Sequence, residues 1–114
     1  IHWEKPELGM VEFEGSKQNN IVWRGPHGAG VFKDLRDPDQ ARRYKTLFKR
    51  KKISVGFSAD GIHWGPQIMC PEIDPKPADG THYNVLWVPE LGEYVGFIRF
   101  RGREGRRTPV EKNG

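Results

Sequence analysis

Apolar and polar residues alternate most cleanly between Ile53 and Ser58, where Ile53, Val55 and Phe57 interleave with Ser54, Gly56 and Ser58. That period of two predicts a strand with one buried face. The strand runs into Ser58-Ala59-Asp60-Gly61-Ile62-His63-Trp64. Asp-Gly is a strong turn signal, because glycine accepts positive φ and the aspartate hydrogen-bonds the turn's own backbone. Trp64, just past the turn, is placed to fold its ring back over the hairpin and cover apolar area. Ser-x-Asp-Gly-x-x-Trp therefore reads as one structural unit, the outer hairpin of a small antiparallel sheet.

The same alternation continues on either side. Tyr44, Thr46 and Phe48 interleave with Lys45, Leu47 and Lys49, and Gln67 to Cys70 reads as a short outer strand. Ile21-Val22-Trp23 and Asn84-Val85-Leu86-Trp87-Val88 are continuously apolar, as expected of strands buried on both faces. Glu93 to Arg101 is a long strand with two partly apolar faces, and Met10 to Glu14 a short alternating piece closed by Gly15. Gly25 to Gly30, Asp34 to Ala41 and the proline-rich stretch from Pro71 to Pro77 are loops, with a brief extension at Val31-Phe32 between the first two. Two of these strands recur. Asn20-Ile21-Val22-Trp23 returns as Asn84-Val85-Leu86-Trp87, and Tyr44 to Lys49 as Tyr94 to Arg99. Strand units repeating at roughly 40 to 60 residues point to the four-stranded blades of a propeller. On this reading residues 1–18 lead in, 19–70 form a first blade and 71–114 a second, truncated one. Ile1 in place of Met and the interrupted second unit lead to the expectation that the chain is a piece of a longer protein.

Composition agrees with thin stacked sheets rather than one thick core. The 114 residues are 35% hydrophobic and 11% aromatic, with tryptophan at positions 3, 23, 64 and 87, and mean hydropathy is −0.77. No run approaches the roughly 18 apolar residues of a membrane span, so no membrane partner is expected. The net charge of +4 gathers in Arg42 to Lys52 and again in Arg99 to Arg107. Such clusters neutralise phosphates, which keeps a basic nucleic-acid-binding β domain as an alternative, with Arg43, Lys45, Arg99 and Arg101 on one face. In strand sequence, however, alternating Lys and Arg mark solvated faces and blunted edges, and no nucleic-acid-binding motif accompanies them. Cys70 is alone, which excludes an internal disulfide and a cysteine zinc site. No His/Asp/Glu spacing makes a metal site, and no cofactor is expected.

Trp3-x-Lys5-Pro6-x-Leu8-Gly9, Asn19-Asn20-Ile21-Val22, Arg43-Tyr44-Lys45, Ser58-x-Asp60-Gly61-Ile62-His63-Trp64 and Asn84-x-x-Trp87, followed by Tyr94-Val95-Gly96 and Arg99, resemble the glycoside-hydrolase-like five-bladed β-propellers, relatives of glycosidase families 32 and 43. The resemblance spans nearly the whole chain. It implies an all-β fold of about one and a half to two four-stranded blades, carbohydrate and the remaining blades as partners, and an extracellular or periplasmic location. The hairpin also resembles the sialidase Asp-box, but that motif separates its Asp and Gly by one residue, and Asp60 and Gly61 are adjacent.

Glycoside hydrolysis needs two carboxylates across the scissile bond. The resemblance places a frequent family aspartate at Asp34, the catalytic candidate. Asp37, in Arg36-Asp37-Pro38, matches a family 32 tripeptide superficially while its neighbours read as a turn. Glu72 follows Cys70-Pro71 in the inverse order of the family's acid motif, so that role is not carried over. Asp79 caps a loop or faces the cavity at the second inner strand. The inner-strand mouths carry Asn19, Asn20, His82 and Asn84, residues suited to hydrogen-bond sugar hydroxyls, or in the case of the asparagines to satisfy a turn. Arg99 binds a carboxylate or pairs across strands, and Trp23 and Trp87 stack on a sugar or pack between blades. Under two blades hold only part of a carboxylate set. Three readings stay open: a piece of a glycosidase, a sugar-binding or scaffold propeller without catalysis, and a nucleic-acid binder.

Overall fold

A computed structural model describes residues 1–24, 28–73 and 82–99. These residues form two antiparallel sheets, and their only helical segment is a 3-10 turn at Gln40–Arg42. In the first sheet β1 (Gly30–Lys33), β2 (Tyr44–Lys49), β3 (Ile53–Ser58) and β4 (Ile68–Met69) follow one another in chain order. The second sheet pairs β5 (Asn84–Val88) with β6 (Glu93–Phe97). Short connections make antiparallel neighbours. Arg50 N donates to Lys52 O between β2 and β3, and Gly92, at φ +65°, closes the turn from β5 to β6 by donating to Val88 O.

The expected inner strand at Ile21-Val22-Trp23 is not a strand; Gly30–Lys33 takes that place, pairing Val31 with Thr46 and Phe32 with Lys45. The apolar run instead covers a face of the sheet. Asn19 Oδ1 takes the Ile21 N–H at 2.9 Å. The Trp23 ring meets Phe48 edge-on at 4.7 Å and stacks against Trp64 at 6.1 Å. Met10 to Glu14 is no strand either: Phe13 and Ser16 exchange backbone hydrogen bonds across a tight turn in which Glu14 and Gly15 have positive φ.

Register explains a second departure. Directly opposed residues share a face, so Tyr44, Thr46 and Phe48 lie with Ser58, Gly56 and Ser54, while Lys45, Leu47 and Lys49 lie with Phe57, Val55 and Ile53. Both faces are covered, not one. Ser54, Gly56 and Ser58 are buried, because small residues leave room for the tryptophan layer. A Cβ on Gly56 would lie 3.2 Å from Thr46 Cγ2 and 3.7 Å from Trp64 Cε3. The opposite face packs on the second sheet through Leu47, Ile53 and Tyr83, flanked by Val55, Val85 and Ile98. A cavity of about 280 Å³ remains between the sheets, lined among others by Phe32, Leu47, Val55, Val85 and Cys70. Burial pushes the Cys70 thiol above its ordinary pKa, and Glu72 adds to the effect.

The turn after β3 forms as its sequence predicts. Ser58 Oγ accepts from Gly61 N at 2.9 Å, Asp60 Oδ1 accepts from Ile62 N and His63 N at 2.8 Å each, and Trp64 returns to bridge Ser58. Gly61 is at φ +80°, the conformation that glycine accepts without cost.

The two sheets meet where β1 and β5 begin. Ala29 and Tyr83 form a parallel bridge, and Tyr83 N donates to Gly28 O at 2.9 Å. Only glycine fits at position 30: a Cβ there would stand 2.0 Å from Tyr83 O and 2.9 Å from Asn84 Cα.

Candidate functional site

Asp34 directly follows β1, and its N–H donates to Arg43 O at 2.7 Å, which continues the ladder one step beyond the strand. Beyond it, successive aspartates fold the loop on their own backbones. Asp34 Oδ1 accepts from Arg36 N, Asp37 Oδ1 from Asp39 N and Asp39 Oδ1 from Ala41 N, each at about 3 Å. This winding brings Asp34 and Asp37 to the same point. Lys45, on the β2 face that looks toward the second sheet, sends its ammonium between them, 2.8 Å from Asp34 Oδ2 and 2.8 Å from Asp37 Oδ2, with its third proton on Arg42 O. Tyr94, on β6, closes the cluster from the other sheet by donating its hydroxyl to Asp34 Oδ2 at 2.6 Å.

Asp34 is only 4% exposed. Burial alone would raise its pKa, but the hydrogen bonds from Lys45, Tyr94 and Arg36 N together outweigh it and hold the carboxyl well below the usual range. Asp37 is lowered by Lys45 and by Asp39 N, with Arg42 Nε a further 3.4 Å away. Burial disfavours the Lys45 ammonium, yet its two carboxylate partners raise its pKa above the ordinary value. The Tyr94 phenol is raised as well, first by its bond to Asp34 and then by burial. All four groups are thereby fixed in one protonation state near neutral pH. The cluster is a clamp between sheets, not a proton relay.

Beside it lies a cleft of about 240 Å³ lined by Arg36, Asp37, Pro38, Trp87 and Tyr94. Trp87 and Tyr94 meet edge to face at 5.0 Å, and the Arg36 guanidinium sits 5.1 Å over the Trp87 ring. Tyr94 remains 46% exposed. Trp87 Nε1 is buried without a hydrogen-bond partner among the described residues.

The residues singled out in the sequence do not converge on this point. β1 and β5 start side by side at the Ala29–Tyr83 bridge, so Asp34 lies past the end of β1, whereas His82 and Asn84 lie at the start of β5. Four residues of strand, about 13 Å, separate the two ends. His82 is exposed with φ +59°, and Asn84 is exposed with its carboxamide oxygen close against Gly30. Asn19 serves the leading segment: its amide donates to Val11 O and Ser16 O while its oxygen takes Ile21 N. Asn20 is exposed beside it, and Arg99 is exposed beyond β6. Asp79 and Arg101 lie outside the described residues. Lys45, read from its alternation as a solvated strand cation, is buried and fully paired, so it is withdrawn from any basic surface. Tyr94 and Arg36 were not among the predicted site residues. The signal for the cluster is the pair Asp34 and Asp37 ahead of a strand that carries Lys45 on the face toward the second sheet.

No protein-family model, no curated protein and no solved structure matches the chain.

Proposed function

We propose that the chain is part of a glycoside-hydrolase-like β-propeller whose role is to bind carbohydrate, and that the sugar contacts the cleft between Arg36, Asp37, Trp87 and Tyr94. The observation that carries this reading is the composition of the cleft: two aromatic rings, one well exposed, set beside a carboxylate and a guanidinium. Sugars present apolar C–H faces to rings and hydroxyls to charged groups, and this lining offers both. The propeller part is supported by the side-by-side parallel start of β1 and β5, each of which leads its own antiparallel sheet. Binding is favoured over hydrolysis because a general acid must hold a proton at working pH, and Lys45 favours the ionised form both of Asp37, which lines the cleft, and of Asp34, buried beside it.

The test is a panel of neutral and acidic oligosaccharides, followed by ligand-induced rise in melting temperature and by tryptophan fluorescence, on the chain and on Tyr94→Ala. Sugars that raise the melting point of the parent and quench its fluorescence, with both effects lost in Tyr94→Ala, support the assignment. A panel without any response refutes it. Turnover of aryl glycosides that disappears in Asp34→Asn would show instead that Asp34 belongs to a working carboxylate set.

A further inference from the structure

We infer that the cleft selects an acidic sugar, a uronate whose carboxylate pairs with Arg36; this rests on the carbohydrate reading above and narrows it. Around the cleft stand two carboxylates, Asp34 and Asp37, and three cations, Arg36, Lys45 and Arg42. Lys45 satisfies both carboxylates at 2.8 Å and Arg42 adds a second cation at Asp37, so the negative charges are already neutralised. Arg36 is left over. Its backbone N–H is tied to Asp34 Oδ1, which fixes where the residue stands, but its guanidinium has no carboxylate partner among the described residues and rests on the Trp87 ring at the edge of the cleft.

A guanidinium held by a ring face keeps its donors in one plane, the geometry that receives a carboxylate through two parallel N–H···O bonds. The exposed Tyr94 ring beside it offers a platform for the sugar face. Asp37, at the mouth of the clamp, retains lone-pair capacity to accept a ring hydroxyl. A neutral sugar would leave the Arg36 charge unanswered; a uronate answers it.

The discriminating pair of probes is oligogalacturonate and its methyl ester, which share every ring and linkage and differ in charge. Titration by isothermal calorimetry on the full chain is expected to show the acid binding at least tenfold more tightly than the ester, and Arg36→Gln is expected to abolish that preference, since the charge-assisted pair is lost with the guanidinium. Arg36→Lys keeps the charge without the fork and is expected to recover part of the preference. Because Arg36 is anchored by its backbone N–H, the Gln variant should melt with the parent. Equal binding of acid and ester, unchanged in Arg36→Gln, overturns the inference and leaves the carbohydrate reading standing. No binding of any oligosaccharide, neutral or acidic, removes both. Dextran sulfate or polyglutamate competing as well as oligogalacturonate also overturns it, because the preference would then be one for any polyanion on a basic chain.

Discussion

Lys45→Met removes an ammonium that lies 2.8 Å from each of two carboxylates. The Lys45 and Asp34 side chains are 7% and 2% exposed, so Asp34 is left charged, out of water and supported by Tyr94 and Arg36 N alone. Breaking a buried pair by deleting one partner costs about 3–5 kcal/mol; the two remaining donors put this case at the lower end, about 3 kcal/mol. For a chain of this length that is a fall of roughly 10 °C in melting temperature. The pH dependence is more telling, because its sign changes. In the parent, Asp34 has a folded pKa below its unfolded value, so its contribution is present above about pH 4 and is lost as pH falls further. Lys45, raised in the folded state, contributes below its unfolded pKa of about 10.4 and is lost only at more alkaline pH. Stability carried by this pair is therefore flat between pH 5 and 8. In Lys45→Met, burial and the like charge of Asp37 work against only the Tyr94 and Arg36 N hydrogen bonds, so the neutral acid is expected to gain and stability to rise as pH is lowered from 8 to 5. Melting followed by far-ultraviolet circular dichroism at pH 5 and pH 8 reads this directly. The double variant Lys45→Met/Asp34→Asn should recover much of the loss at pH 8. A single variant as flat as the parent over this range, or a loss that Asp34→Asn fails to relieve, would refute the argument.

Two further perturbations test the packing. Gly30→Ala puts a Cβ 2.0 Å from Tyr83 O, a backbone atom that cannot rotate away, so the cost should reach the top of the overpacking range, about 3 kcal/mol; Gly65→Ala, whose Cβ would meet only Phe57 O at 3.5 Å, is the neutral control in the same thermal melts. Trp64→Ala strips the layer formed with Trp23 over Phe48. Since Trp64 is half-buried, a loss of about 2 kcal/mol is expected, below the range for a fully buried tryptophan, and chemical denaturation with an unchanged m-value would confirm that only packing was lost.

Much of the fold is legible in the sequence because its strands after Tyr44 carry local signals. β2 and β3 follow from alternation, the short β4 from the stretch Gln67 to Cys70 after the hairpin, the Ser58 to Trp64 turn from its Asp-Gly and returning tryptophan, and β5 and β6 from an apolar run and a glycine-closed turn. β1 is different. Gly30-Val31-Phe32-Lys33 is short and begins with a glycine, and what makes it a strand is a register with β2 and a backbone approach to Tyr83, neither of which is local. Ile21-Val22-Trp23 looks more like a strand, but its apolar residues are used as a lid, and a lid and a doubly buried strand have the same composition. The reading of β3 as one-sided fails for a related reason. Ser54, Gly56 and Ser58 are small rather than solvated, and smallness under an aromatic layer cannot be told from polarity facing water without knowing that Trp23 lies above.

The site was hidden by the same ambiguity, applied to charge. A lysine alternating with apolar residues on β2 reads as an exposed cation, and most are. Lys45 differs because two aspartates within eleven residues before it are bent back onto it by Asx turns, and because a tyrosine from a sheet some fifty residues later completes the set. The first condition is visible in the sequence once the loop is drawn as a winding of aspartates; the second is a tertiary fact. Asp34 and Tyr94 together tie the end of β1 to the start of β6, while Ala29 and Tyr83 tie the opposite ends of β1 and β5. The sheets are thus joined at both ends of their shared edge, by backbone at one and by a neutralised charge cluster at the other. A cleft built against such a joint has its rings and the Arg36 guanidinium held in place by the fold, and if it takes the sugar proposed above, that preorganisation would let a shallow, half-exposed surface discriminate between ligands.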